Sequence, residues 1–220
     1  HILSSTIPNC LSYDPAFAYE VAVIVKNGIK EMFVDQKNYF YYITTINENY
    51  SHPEIPDGSE SGIIKGMYKL IDNENAQIRL LGSGAILREA IKAKELLEKF
   101  NIKAEVWSVT SFNLLRKDGM EVERFNQLNP SKEPNPSYVE QCFSDSDIPV
   151  IAATDYMRSY SEQIRPYIKS TFITLGTDGY GRSDSRETLR DFFEVNSKSI
   201  SRTASYALYK TKVIIRGSNS

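Results

Sequence analysis

The apolar positions along this chain alternate between two periods. Short runs rich in β-branched and aromatic residues occur at Phe40–Ile46, Gly66–Ile71, Gln77–Leu81, Ala104–Val109, Pro149–Ala153 and Thr171–Leu175, and each reads as a strand. Between them lie segments of helical period. Ala18, Val21, Ala22 and Val25 follow Asp14-Pro15, an N-cap and first-turn proline. Ile86, Ala90, Ala93 and Leu97 make one face of a helix over Ala85–Phe100. Shorter helical pieces are predicted at Phe112–Arg116, Glu121–Leu128 and Tyr138–Phe143. A longer one is predicted at Asp155–Ile168, another at Asp184–Phe193, and a weak one at Ser199–Lys212. The tail from Arg216 to Ser220 has no apolar period and is expected to fray.

Strand–helix alternation from residue 77 onward predicts an α/β fold with a mostly parallel, doubly wound sheet. The run Phe40–Ile46 is apolar at nearly every position, as in a parallel strand covered on both faces. Ser51–Gly62, with two prolines and two glycines, is the best domain boundary. This places the tail of one α/β domain at 1–62 and a second domain at 63–220.

Composition narrows the class. One quarter of the 220 residues are charged, and 26 basic side chains nearly balance 28 acidic ones, which argues against a nucleic-acid partner. No apolar run is long enough to span a bilayer. Cys10 and Cys142 stand alone and indicate neither a metal cluster nor a disulfide framework, so a reducing cytoplasm is expected. The chain opens on His1 without a charged-then-apolar leader and reads as a fragment with no signal peptide.

Three stretches invite chemistry. Gly82-Ser83-Gly84 passes from strand to helix, like a dinucleotide-binding turn, but position 87 is Leu where the motif needs its third glycine. It reads better as a structural turn. The second stretch, Thr171–Val195, runs strand, glycine turn, helix. Its Arg182 and Arg186 could hold an anion, yet Asp178, Asp184 and Glu187 cancel their charge. The favoured reading is a helix capped by Asp184 and Glu187, with Asp178, Arg182 and Asp184 making an interdomain or subunit contact. The third is the pair of histidines. His52 lies in the proline-rich connector and reads as structural. No Ser-His-Asp set or metal cluster is legible.

The segments LGTDGYGRSDSRETLR with FEV, TIPNCLSYDPAFAYEVAVIV, YYITTINENY, LLGSGAILREA, VWSVTSFNLL and ATDYMRSYSEQIRPY resemble the homodimeric pyruvate dehydrogenase first component. The resemblance covers almost the whole chain. It implies the end of a pyrimidine-binding middle domain followed by a transketolase-type C-terminal domain. In the whole enzyme it implies thiamine diphosphate with Mg2+, decarboxylation of pyruvate, and acetyl transfer to a lipoyl group on an acyltransferase subunit. In this family a histidine ends an EDGxxH-type segment at the cofactor cleft, and His1 matches it by its place just ahead of TIPN. Tyr13, Asp14 and the Asn47–Tyr50 turn could line the same cleft, or simply pack and cap. The family's diphosphate-binding GDG…N motif and its activating glutamate are not in this sequence, so the chain alone is expected to be inactive and to bind no cofactor. After Val195 the chain departs from the family pattern into the polar SKSISRTASYALYKTK. A transketolase-type thiamine enzyme and a non-catalytic dimerisation or docking module remain alternatives.

Overall fold

A computed structural model describes residues 1–218, and side chains as far as residue 211. Two sheets form. The smaller pairs β1 (Cys10–Tyr13) with β2 (Phe40–Ile43) in parallel, connected through α1 (Ala18–Ile29) and a π turn over Lys30–Val34. The larger has five strands: β3 (Met67–Ile71), β4 (Ile78–Gly82), β5 (Ala104–Val109), β6 (Val150–Ala153) and β7 (Phe172–Leu175). Their spatial order is β3-β5-β4-β6-β7, parallel except for the antiparallel edge strand β3. This is the mostly parallel sheet the alternating pattern predicts.

The strands are mostly apolar because both faces of the sheet are covered. Leu80, Val106 and Ile151 point to one face, where α3 (Leu87–Glu98) and α8 (Ser197–Ser218) pack through Ala90, Ala93, Leu97, Ile200, Ala204 and Ala207. Leu81, Trp107 and Ala152 point to the other, under α4 (Phe112–Leu128), α5 (Tyr138–Cys142) and α6 (Ser159–Glu162). The polar stretch after Val195 is therefore a packed helix. Its Ser201, Ser205 and Thr211 hydroxyls donate to carbonyls four residues back, which satisfies them without leaving the helix. The part of the predicted tail at residues 219 and 220 lies outside the described residues. A buried ion pair is built into the sheet: Arg79 in β4, 1% exposed, donates to Glu105 in β5 at 2.6 Å and to the Ser146 carbonyl at 2.8 Å.

Several sequence expectations are corrected. The strand predicted over Phe40–Ile46 stops at Ile43 and is open on one side, with Phe40 and Tyr42 nearly half exposed. The two pieces predicted at 112–116 and 121–128 are one helix, α4, running through Gly119. That glycine is not a break; the Tyr167 ring lies where its Cβ would be. The helix predicted over Asp155–Ile168 shrinks to α6 and a 3-10 turn at Arg165–Tyr167. Tertiary partners take the backbone groups that a helix would use: Thr177 N donates to Tyr156 O at 2.9 Å, and Asp178 Oδ1 accepts from Arg158 N at 2.9 Å. Nor does Asp14 cap α1. The helix starts at Ala18, and Glu20 reaches back to accept from Ala16 N and Phe17 N at 2.5 and 3.0 Å. Finally, α7 (Arg186–Phe192) is capped by Ser185, whose Oγ accepts from Thr188 N, and not by Asp184, whose Oδ1 accepts from Ser185 N. The hydroxyl is one residue nearer the first turn, so it takes the cap.

Ser185→Ala is expected to lower stability by about 1 kcal/mol through the lost cap, and Asp184→Ala by less than about half of that. Chemical denaturation of the two variants beside the wild type measures both.

Candidate functional site

The connections leaving β4 and β6 run in opposite directions, since β4 leads to β5 on one side and β6 to β7 on the other. Adjacent parallel strands with diverging connections leave a crevice at their carboxyl ends, where doubly wound folds place ligands. Here Ser83 Oγ and Thr154 Oγ1, one from each strand end, meet at 2.9 Å. The smaller sheet delivers Asp14 into this crevice from the end of β1. Its main chain is pinned on both sides: Asp14 N donates to Thr110 O at 2.7 Å, and Gly84 N donates to Asp14 O at 3.1 Å.

The Asp14 carboxyl is 5% exposed. Its Oδ1 accepts from Thr44 Oγ1 at 2.7 Å and from the Tyr156 hydroxyl at 3.3 Å, while Oδ2 is buried without a partner. Burial pushes this carboxyl above its usual range, against the pull of those hydroxyls. Gly84 makes the arrangement possible: at φ +46° it is left-handed, and a Cβ there would stand 2.5 Å from Asp14 Oδ2. Gly82-Ser83-Gly84 thus seats a carboxylate of the chain itself where a dinucleotide turn would seat a phosphate.

Thr44, just past β2, also meets His1: His1 Nε2 lies 3.1 Å from Thr44 Oγ1. The imidazole stacks on Tyr160 at 5.0 Å and meets Tyr156 edge-on at 4.9 Å and Tyr42 at 5.2 Å. Its Nδ1 is buried and unpartnered. The His1 carbonyl is held by Asn113 Nδ2 of α4 at 2.8 Å.

Two clefts meet at this cluster. One, of about 420 Å3, is as polar as it is apolar and is bounded on its polar side by Asp14, Thr44, Glu48, Asp155, Arg182 and Arg186. The other, of about 740 Å3, is mostly apolar and is bounded by His1, Ile2, Phe40, Tyr42, Tyr156 and Met157. Asp155, Tyr156 and Thr177 line both.

Of the sequence candidates, His1, Asp14 and Glu48 come together here. Tyr13 does not: it is buried against Tyr41, and its hydroxyl donates to Ile64 O. His52 accepts from Ala18 N at the start of α1, a structural role. Asp178 pairs with Arg158, and Arg182 lies 4.0 Å over the Phe192 ring, so their partners in this chain lie within residues 63–220. The contact with residues 1–62 is made instead by other arginines. Arg88 and Arg190 converge on Glu48, and Arg186 donates to Asn47 O at 2.9 Å. Thr44 and Tyr156 escape sequence reasoning because only the packing of one sheet against the other brings them to His1 and Asp14.

The first 53 residues match the pyruvate dehydrogenase E1 component middle domain, and residues 66–196 match the transketolase-like TK C-terminal domain. The pyruvate dehydrogenase E1 component of Pseudomonas aeruginosa is 55% identical over 89% of this chain, and that of Escherichia coli K12 is 50% identical over 91%. Each match covers 23% of the relative, so the chain spans about a quarter of the length of these curated relatives. Among solved structures, a transketolase from Pichia stipitis in complex with fructose-6-phosphate superposes over 96% of this chain and 27% of its own, with TM-score 0.67 at 19% identity. A transketolase from Leishmania mexicana covers 95% of the chain with TM-score 0.62 at 15% identity. Both of these show the fold.

Partial burial alone would raise the Glu48 carboxyl, but the hydrogen bond and charge of Arg88, with Arg190 and Arg186 behind, bring it below the usual range. Stability from this clamp is then fully present above the ordinary glutamate pKa and is lost as pH falls through the depressed folded value. The melting-temperature difference between wild type and Glu48→Gln is expected to be constant near neutral pH and to vanish in acid. Melting curves across that range test it. From its matched models and its relatives, this chain belongs to the transketolase-like C-terminal domain family and is homologous to part of the pyruvate dehydrogenase E1 component.

Proposed function

We propose that this chain forms one wall of the active site of a thiamine-diphosphate-dependent pyruvate dehydrogenase, with residues 1–62 closing a middle domain and 63–220 forming the C-terminal domain. The observation that carries the reading is His1, set into an aromatic cleft at the meeting of the two matched segments and tied through Thr44 to a buried carboxylate.

Thiamine diphosphate supplies an electron sink for decarboxylation when bound. The residues of this chain do not fit its diphosphate and Mg2+. Among the described residues no three His, Cys, Asp or Glu side chains stand close enough to hold a metal, and the crevice at β4 and β6 is filled by Asp14. Those groups belong to residues outside this chain. What the chain contributes is a wall: Tyr42, Tyr156 and Met157 exclude water, and His1 offers an imidazole for proton transfer. The full-length protein acts as a homodimer in the cytoplasm, takes pyruvate, and passes an acetyl group to a lipoyl acyltransferase. Asp178, Arg182 and Asp184, on the exposed side of the β7–α7 loop, serve as a subunit contact in it. No helix among the described residues is long and apolar enough to cross a membrane.

In the full-length protein, His1→Ala is expected to lower pyruvate turnover by about 100-fold or more, with the cofactor still bound. Steady-state kinetics beside a thiamine diphosphate titration test this; wild-type turnover would overturn the role of His1. Calorimetric titration of the 220-residue chain with thiamine diphosphate and Mg2+ is expected to show only heats of dilution.

A further inference from the structure

The Thr44 hydroxyl carries one hydrogen and has three partners at hydrogen-bond distance, with the Tyr156 hydroxyl beyond them. Two accept: the Asp14 carboxylate Oδ1 at 2.7 Å and the Tyr13 carbonyl at 3.3 Å. The third is His1 Nε2 at 3.1 Å. A short bond to a buried carboxyl oxygen takes the hydrogen in preference to a longer one, so Thr44 donates to Asp14 and its lone pair is turned toward the ring. His1 Nε2 must then be the donor. Oδ1 accepts when Asp14 is ionised, and equally when a neutral carboxyl carries its proton on Oδ2, so the assignment holds in both of those states.

We propose that Asp14 is a positioning residue for this cleft: through the Thr44 hydroxyl it holds the His1 imidazole as its Nε2–H tautomer and leaves Nδ1 as the nitrogen that exchanges a proton. The rest of the neighbourhood agrees. Nδ1 is the ring nitrogen without a partner in the chain. The stacked Tyr160 and the edge-on Tyr156 pack against the ring. Asp14 is itself immobilised, by two main-chain hydrogen bonds and by the space that Gly84 leaves for its carboxyl. Geometry of this kind, in which a carboxyl group sets a histidine tautomer, is a general way of preparing an imidazole for proton transfer. Here an intervening hydroxyl carries the effect.

The proposal rests on the reading of His1 as a working residue, so its test uses a measurement that does not need turnover. In the full-length protein without cofactor, deuterium exchange at the imidazole C2 carbon, followed by mass spectrometry, reports the titration of each histidine separately. The ionisable groups facing the ring are Tyr42 from β2, Tyr156 and Tyr160 from the segment after β6, Asp14 after β1, and Asp155 on the shared cleft wall. All are kept in the decisive variant, Thr44→Val. It removes the acceptor that favours the charged ring and is expected to lower the His1 midpoint by about one pH unit, tenfold in the protonation equilibrium. Thr44→Ser is expected to restore it. Asp14→Asn is expected to shift the midpoint the same way, and His52 is the internal reference. The acid limb of the pH–turnover profile should move with the His1 midpoint across the series. An unmoved midpoint in Thr44→Val, or no rescue by Thr44→Ser, overturns the relay; if Asp14→Asn fails to fold, the two Thr44 variants still decide it. Should His1→Ala retain full turnover while the midpoints shift as expected, the relay stands and the catalytic reading of His1 falls.

Discussion

One buried carboxylate holds the two parts of this chain together. Glu20, in the first turn of α1, is fully buried and accepts four hydrogen bonds. Two come from the amides of Ala16 and Phe17, which α1 leaves free at its start. The others come from Tyr68 on β3 at 2.7 Å and Ser108 on β5 at 2.6 Å. Burial pushes the carboxyl up, and all four donors pull it the other way. A charge in such a place is tolerated only when its lone pairs are filled, so helix, edge strand and central strand must all be in register for any of them to be stable. The smaller sheet is thereby fixed against the larger one. Everything in the cleft depends on that fixed relation.

With the two sheets locked, β1 ends over the crevice between β4 and β6, and the crevice receives Asp14. Doubly wound folds use this place for ligands because diverging loops leave it open. Here the chain occupies it, and the cleft is displaced outward to the surface shared by His1, Tyr42, Tyr156 and Asp155. That displacement accounts for a glycine turn resembling a nucleotide site in sequence yet serving as a seat for a carboxyl group. The arginines follow the same logic. Arg88 and Arg190 are spent on Glu48 across the boundary between the matched segments, which leaves the smaller cleft near charge balance.

The strands of the larger sheet were legible from composition alone. Runs such as Val150–Ala153 are apolar at successive positions because both faces of the sheet are covered. Helix α3 was legible from its period, and the glycine turn before it from its spacing. The family resemblance was carried by long ordered motifs, and it led to His1, which no local property of a lone histidine would single out. Gly119 in mid-helix shows the limit. It falls between the two predicted pieces, 112–116 and 121–128, because sequence does not reveal that a tyrosine 48 positions away rests on it.

What the sequence determined by itself, then, is the set of elements whose stability is local or whose burial is uniform: parallel strands, amphipathic helices, and a connector rich in proline and glycine. What only the tertiary structure decided is which groups meet. Asp14 looks like a helix cap until Glu20 takes the cap and Asp14 is turned into the crevice. Residues 155–168 have helical composition, but their carbonyls and amides are claimed by Thr177 and Asp178 from the next strand's loop. Thr44 has no motif at all. Its importance comes from standing within hydrogen-bond reach of both His1 and Asp14, 43 and 30 residues away. Local patterns encode which surfaces must be buried. Hydrogen bonds between distant residues depend on how those surfaces dock, and that is a property of the assembled fold.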